Sequence, residues 1–80
     1  MKYMDKIVKA LEEGKDVNAS NSGWVRSGYF YSYQTPVALL KDNKLFVTDL
    51  HYSQTTSRQV SYLKRYFGGK VEIVCGPFYL

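Results

Sequence analysis

Eighty residues with one cysteine and a net charge of +4 describe a single domain with one thin core, since a chain this short buries only about 60–65% of its unfolded surface. The lone Cys75 excludes an internal disulfide framework and a cysteine-rich metal site, and it points to a reducing compartment. The longest wholly aliphatic run, Val37 to Leu40, is far too short to span a membrane. The first apolar residues are spaced rather than contiguous, so no signal peptide is expected and the cytoplasm is the expected location.

The charge is unevenly placed. Lys2, Lys6, Lys9 and Lys15 are balanced by Asp5, Glu12, Glu13 and Asp16, whereas residues 51–80 carry Arg58, Lys64, Arg65 and Lys70 against Glu72 alone. A basic second half favours acidic partners, nucleic acid included. Tyrosine is over-represented, at 8 of 80 residues, and its large ring with a polar tip suits half-buried positions and contact surfaces.

The chain opens with an amphipathic helix over Tyr3 to Glu13. Met4, Ile7, Val8 and Leu11 form its apolar stripe, Asp5 and Lys9 make an i, i+4 pair, and Gly14 suits the left-handed stop. Lys15 to Gly23 is small, polar and turn-rich, which predicts a surface loop. From Trp24 the period changes to two, placing Tyr29, Tyr31 and Tyr33 on one strand face and Gly28, Phe30, Ser32 and Gln34 on the other. The tyrosine row is either a half-buried face under a helix or a platform for stacking bases or a protein partner. Pro36 cannot donate to a ladder and marks a bulge, an edge or a break.

Val37 to Leu50 predicts a hairpin turning at Asp42-Asn43, with Leu40 opposite Leu45, Leu39 opposite Phe46 and Ala38 opposite Val47. Both of its faces are apolar, so it belongs near the sheet centre. His51 to Thr55 then links to a second helix. Thr56 is the expected N-cap, with Gln59 reaching back to it in a capping box. Val60, Leu63 and Phe67 form the inner stripe of this helix, and Gly68-Gly69 ends it. Lys70 to Cys75 alternates as a strand with Val71, Ile73 and Cys75 on one side. Gly76-Pro77 stops it before the apolar tail Phe78-Tyr79-Leu80. The predicted order is α-β-β-β-α-β: an α+β fold with two helices on one face of a small, mainly antiparallel sheet of three or four strands.

No motif specifies a reaction. Asp49, His51 and Ser53 alternate, but on a strand such side chains run parallel rather than converging as a triad requires. Cys75 has no neighbouring base to lower its pKa and reads as an inert buried thiol. No metal-ligand spacing or cofactor motif is present, so the expected protein is not an enzyme and needs no cofactor. The outer face of the second helix is the strongest candidate surface. Arg58, Tyr62 and Arg65 fall at i, i+4 and i+7 with Ser61 between them, and Tyr52 and Lys64 flank the stripe. Arginine and tyrosine suit contact hot spots and can equally grip phosphates or stack on bases. Tyr29, Tyr31 and Tyr33 form the second candidate surface.

The blocks Tyr31-Ser32-Tyr33-Gln34-Thr35-Pro36-Val37-Ala38 and Tyr52-Ser53-Gln54-Thr55-Thr56-Ser57-Arg58 resemble a family of small, largely uncharacterised bacteriophage proteins. That family shares a Tyr-x-Thr-Pro-Val-Ala strand and a Tyr-Ser-x-Thr-Thr-Ser-Arg/Lys helix start, and the likeness covers about half of the chain, Tyr31 to Tyr66. The resemblance implies a phage or mobile-element accessory protein that binds a host protein or nucleoprotein complex, as anti-CRISPR inhibitors do. It carries no catalytic residues. The expected function is therefore inhibition of a bacterial defence system by occluding a surface. The alternative is a small basic nucleic-acid-binding protein.

Overall fold

The computed structural model describes residues 2–49, 53–76 and 78. The first helix, α1 (Lys2–Glu13), buries Met4 and Ile7 completely and Val8, Ala10 and Leu11 almost so. It ends as its glycine requires. Gly14 takes φ +68°, its N–H donates to the Leu11 carbonyl at 3.3 Å, and the Lys15 N–H donates to Ala10 at 2.9 Å. These two bonds are the Schellman pair, which only a residue tolerant of positive φ can close.

Five strands follow in an antiparallel meander: β1 (Val17–Ser20), β2 (Gly23–Arg26), β3 (Tyr29–Ser32), β4 (Thr35–Lys41) and β5 (Lys44–Thr48). Helix α2 (Gln54–Phe67) and a single 3-10 turn, Gly68–Lys70, then carry the chain to β6 (Val71–Val74), which pairs parallel to β5. The fold is α+β with two helices, but its sheet has six strands in chain order rather than three or four. The order is helix, five strands, helix, strand.

The missing strands lie where the sequence looks like a loop. Lys15 to Gly23 supplies all of β1, the Asn21-Ser22 turn and the first residue of β2. β1 is an edge strand with a register shift at Asn18–Ser20; Val17 and Ala19 pack against the core but stay only partly covered, and Asn18 is exposed. The stretch from Trp24 is two strands, because Ser27-Gly28 reverses it. Both of those residues have positive φ, as do Tyr33-Gln34 and Asp42-Asn43. Three successive two-residue turns of this mirror-image kind match the right-handed twist of the strands they join.

The β4–β5 hairpin has the expected register, with Ala38 opposite Val47, Leu39 opposite Phe46 and Leu40 opposite Leu45. Pro36 adjoins a bulge. Opposite Phe30 and Tyr31 stand Ala38 and Pro36, leaving Val37 as the extra residue, fully buried. One sheet face carries the row Val25, Phe30, Ala38 and Val47, all buried, and the row ends on the half-exposed Ile73 of β6. Helix α1 covers this face over β1, β2 and β3, with α2 packed beside it.

Helix α2 begins a turn earlier than its sequence suggests. Ser53, extended at φ −158°, is the N-cap, and its Oγ accepts the Thr56 N–H at 3.1 Å. Thr56 and Gln59 are buried core residues, not a capping box. Ser32 Oγ donates to Gln59 Oε1 at 2.7 Å, and Gln59 Nε2 donates to Tyr3 Oη at 2.9 Å and the Ser22 carbonyl at 2.8 Å. Thr56 Oγ1 lies 2.8 Å from Ser32 Oγ. One carboxamide therefore ties α1, β3, the β1–β2 turn and α2 together. Gly23 passes beneath it, where an added Cβ would come within 3.2–3.4 Å of Tyr3, Phe30 and Gln59. At the far end Gly68 takes φ +58° and donates to the Lys64 carbonyl, the expected glycine stop.

Candidate functional site

The exposed face of α2 carries the candidate cations. Arg58, Ser61, Lys64 and Arg65 are all exposed, while Leu63 is buried and Val60 and Phe67 pack against the core. A shallow depression on this face is lined by Gln54, Ser57, Arg58, Ser61, Tyr62 and Arg65. The ion pairs among the described residues are Lys15–Glu13 and Lys44–Glu72, and neither Arg58 nor Arg65 is in them. Lys64 points to the other flank, into a groove with Val60, Ser61 and Ile73.

Tyr62 is committed elsewhere. Its hydroxyl donates to Asp5 of α1 at 2.5 Å, and one turn later Tyr66 donates to Glu12 at 3.1 Å. Asp5 thus serves the second helix, and the expected Asp5–Lys9 pair is not among the ion pairs of the described residues. Each phenol is held in its protonated form: the carboxylate it donates to raises its pKa above the ordinary tyrosine value, for Tyr62 through Asp5 and for Tyr66 through Glu12. Tyr62 therefore presents ring rather than hydroxyl to the depression. Tyr52 lies outside the described residues, as does His51.

The second candidate surface divides. Tyr29 and Tyr31 lie half-buried on the sheet face opposite the helices, while Phe30 and Ser32 point under them. The tyrosines are therefore not the face that a helix covers. Tyr33 does not join them. It sits in the positive-φ turn after β3 and is 52% exposed. Its place in the row is taken by Trp24, directly opposite Tyr31, with ring centroids 6.1 Å apart and planes 9° from parallel. Tyr29 continues the run, 6.5 Å from Tyr31 and edge-on to Phe78 at 5.8 Å. Counting two residues across the Ser27-Gly28 reversal would have added Trp24, since hairpin partners share a face.

The remaining reactive groups have structural places. Asp49 Oδ1 accepts the Gly76 N–H at 3.0 Å and Ser53 caps α2, so the alternating Asp-x-His-x-Ser stretch splits between two elements. Cys75 is exposed, not buried, because β6 ends at Val74 and leaves it in the following bend. Among the described residues no three of His, Cys, Asp and Glu gather as a metal site, and no helix is long and apolar enough to cross a membrane.

Residues 2–74 match a family of unknown function, DUF8033, and the chain belongs to that family. No curated protein and no solved structure gives a significant match.

Proposed function

We propose that this member of the DUF8033 family is a binding protein without catalytic activity, and that it meets its partner with the Arg58–Ser61–Arg65 face of α2. The supporting observation is a pair of exposed arginines that line one depression together with Ser57 and Ser61, with no carboxylate of the described residues paired to either. Arginine loses little order on pairing and offers a planar fork to carboxylates and phosphates alike. Its partner is accordingly acidic. The likeness of two sequence blocks to small bacteriophage proteins makes a bacterial defence complex the partner to try first, with inhibition by occlusion as the mode. A basic face is unsuited to mimicking DNA.

The test is affinity capture from bacterial lysate, with and without nuclease, followed by binding measurements on the captured partner. Arg58→Glu with Arg65→Glu should abolish capture, while Lys6→Glu with Lys9→Glu on α1 should leave it unchanged. Capture that survives the α2 reversal sinks the proposal. A nucleic-acid partner, the second reading, would lose affinity with a log–log salt slope near −0.9 for each duplex phosphate neutralised. A protein partner would show a weaker dependence and survive nuclease.

A further inference from the structure

The face of the sheet turned away from the helices holds a second concavity, which shares no lining residue with the α2 depression. Asp16, Asn18, Asn21, Trp24, Arg26 and Gln34 line it. They are brought there by different elements: Asn18 and Trp24 are cross-strand partners on β1 and β2, Arg26 ends β2, and Gln34 arrives from the turn after β3. Three carboxamides, each offering donors and an acceptor, thus surround the single indole of the chain. The Asp16 carboxylate takes the Ser27 N–H at 3.0 Å, and Arg26 is exposed and outside the ion pairs of the described residues.

The concavity opens onto a run of rings. Trp24 is near-parallel to Tyr31, Tyr31 adjoins Tyr29, and Tyr29 adjoins Phe78. At the Arg26 end of the sheet, Lys41 and Lys44 are exposed on either side of the β4–β5 turn, Lys44 in its exposed ion pair with Glu72. Rings in sequence, amides at their edge and cations at one end are the parts that hold an unpaired nucleic-acid strand. Bases stack on the rings, their hydrogen-bonding edges meet amides, and phosphates meet the cations. A duplex fits poorly, because its bases keep their faces stacked on one another.

We propose that this face binds single-stranded nucleic acid, with a base stacked on Trp24 and read by Asn18, Asn21 and Gln34, and a phosphate held by Arg26. The inference goes beyond the α2 interface and does not depend on it.

Trp24 is the only tryptophan, so its emission reports the site directly. The whole 80-residue chain would be titrated with oligo(dT) and oligo(rU), against inorganic polyphosphate and a short duplex. Saturable quenching by the single strands is expected, with polyphosphate and duplex much weaker. Contacts from Arg26, Lys41 and Lys44 would give a salt slope no steeper than about −2, at roughly −0.7 per phosphate. Tyr31→Leu, which keeps apolar bulk but removes the ring, should weaken binding roughly 5- to 150-fold, the range of one lost stacking contact. Arg26→Gln, on an exposed side chain, should weaken it without disturbing the fold. Arg58→Glu with Arg65→Glu should leave it unchanged. The proposal is overturned by absence of quenching at millimolar strand, by equal binding of polyphosphate or duplex, or by binding that the α2 reversal removes and Tyr31→Leu does not. Preference for DNA over RNA, or the reverse, would identify which strand is the natural ligand.

Discussion

Ser32 on β3 donates its hydroxyl to the carboxamide of Gln59 on α2 across 2.7 Å, at a point where both side chains are buried. The same carboxamide reaches Tyr3 and the Ser22 carbonyl, so every polar valence of Gln59 but one lone pair is spent on a different element. Burying this group costs little only while all its partners are present. No buried side-chain nitrogen or oxygen of the described residues lacks a partner.

Replacing Gln59 by Leu keeps most of its volume and strands Ser32 and the Ser22 carbonyl. A loss of about 1–3 kcal/mol is expected, the cost of leaving buried polar groups unsatisfied. Ser32→Ala strands one acceptor and should cost less. Urea denaturation of the two variants checks both the size and the order. Equal midpoints for Gln59→Leu and the parent would show that the carboxamide holds nothing together.

The N-cap of α2 gives a second test, because two residues compete for the role in the sequence. Ser53 accepts the Thr56 N–H, and its own carbonyl accepts the Ser57 N–H at 2.9 Å. Ser53→Ala should therefore destabilise the protein by about 0.5–2 kcal/mol. Amide exchange should accelerate first at Thr56, whose N–H loses its acceptor. Thr56→Val should leave that amide protected and act instead through the Ser32 hydroxyl 2.8 Å away. If Thr56→Val exposes the first-turn amides, the helix starts where its sequence alone would place it.

The phenols of Tyr62 and Tyr66 make stability depend on alkaline pH. Hydrogen bonds to Asp5 and Glu12 raise their folded-state pKa above the value in the unfolded chain. The folded protein then holds protons that the unfolded chain has released, so stability falls as pH rises. The contribution is complete below the ordinary tyrosine value of about 10 and is lost as pH climbs through the higher folded value. Urea midpoints measured from about pH 8 to 11 should decline less steeply for Tyr62→Phe with Tyr66→Phe than for the parent. Parallel curves would mean that the two helices are not joined by these bonds.

These residues also show what the sequence could and could not disclose. Local signals were reliable where one residue type answers one backbone need. Gly14 and Gly68 stop their helices, Asp42-Asn43 turns its hairpin in the expected register, and Pro36 adjoins a bulge. The β1–β2 hairpin is hidden because Val17-Asn18-Ala19-Ser20 alternates over only four residues, with a small alanine for its second apolar member, inside a stretch rich in turn-forming residues. Ser27-Gly28 was a readable turn signal, and taking it would have supplied the third hairpin and brought Trp24 to Tyr31. Gln59 resembles a capping residue because a polar side chain after Thr-x-x fits a cap. Its spacing of four from Leu63 equally places it on the buried stripe. Which polar residue is solvated and which is clasped in the core depends on long-range partners, here Tyr3 and Ser22, that no local pattern encodes.

The Tyr33-Gln34 turn offers a last prediction, linking strain to the concavity beside Trp24. Gln34 takes φ +71° without being glycine or asparagine, and its side chain lines that concavity. A non-glycine residue in the left-handed region is strained by about 1–2 kcal/mol. Glycine would relieve this but adds about 0.4–1 kcal/mol of unfolded-chain entropy, leaving a modest net gain. Gln34→Gly should therefore raise the melting temperature while removing one carboxamide from the strand-binding site. Asn43→Gly, in the turn at φ +63°, should gain less, because asparagine already tolerates that region. It should not change oligo(dT) binding, since Asn43 is absent from the lining of the concavity. Greater stability with weaker binding for Gln34→Gly, and neither loss nor large gain for Asn43→Gly, would show strain retained for function. Weaker stability for Gln34→Gly would mean that the glutamine side chain holds the turn, and unchanged oligo(dT) binding would remove it from the site.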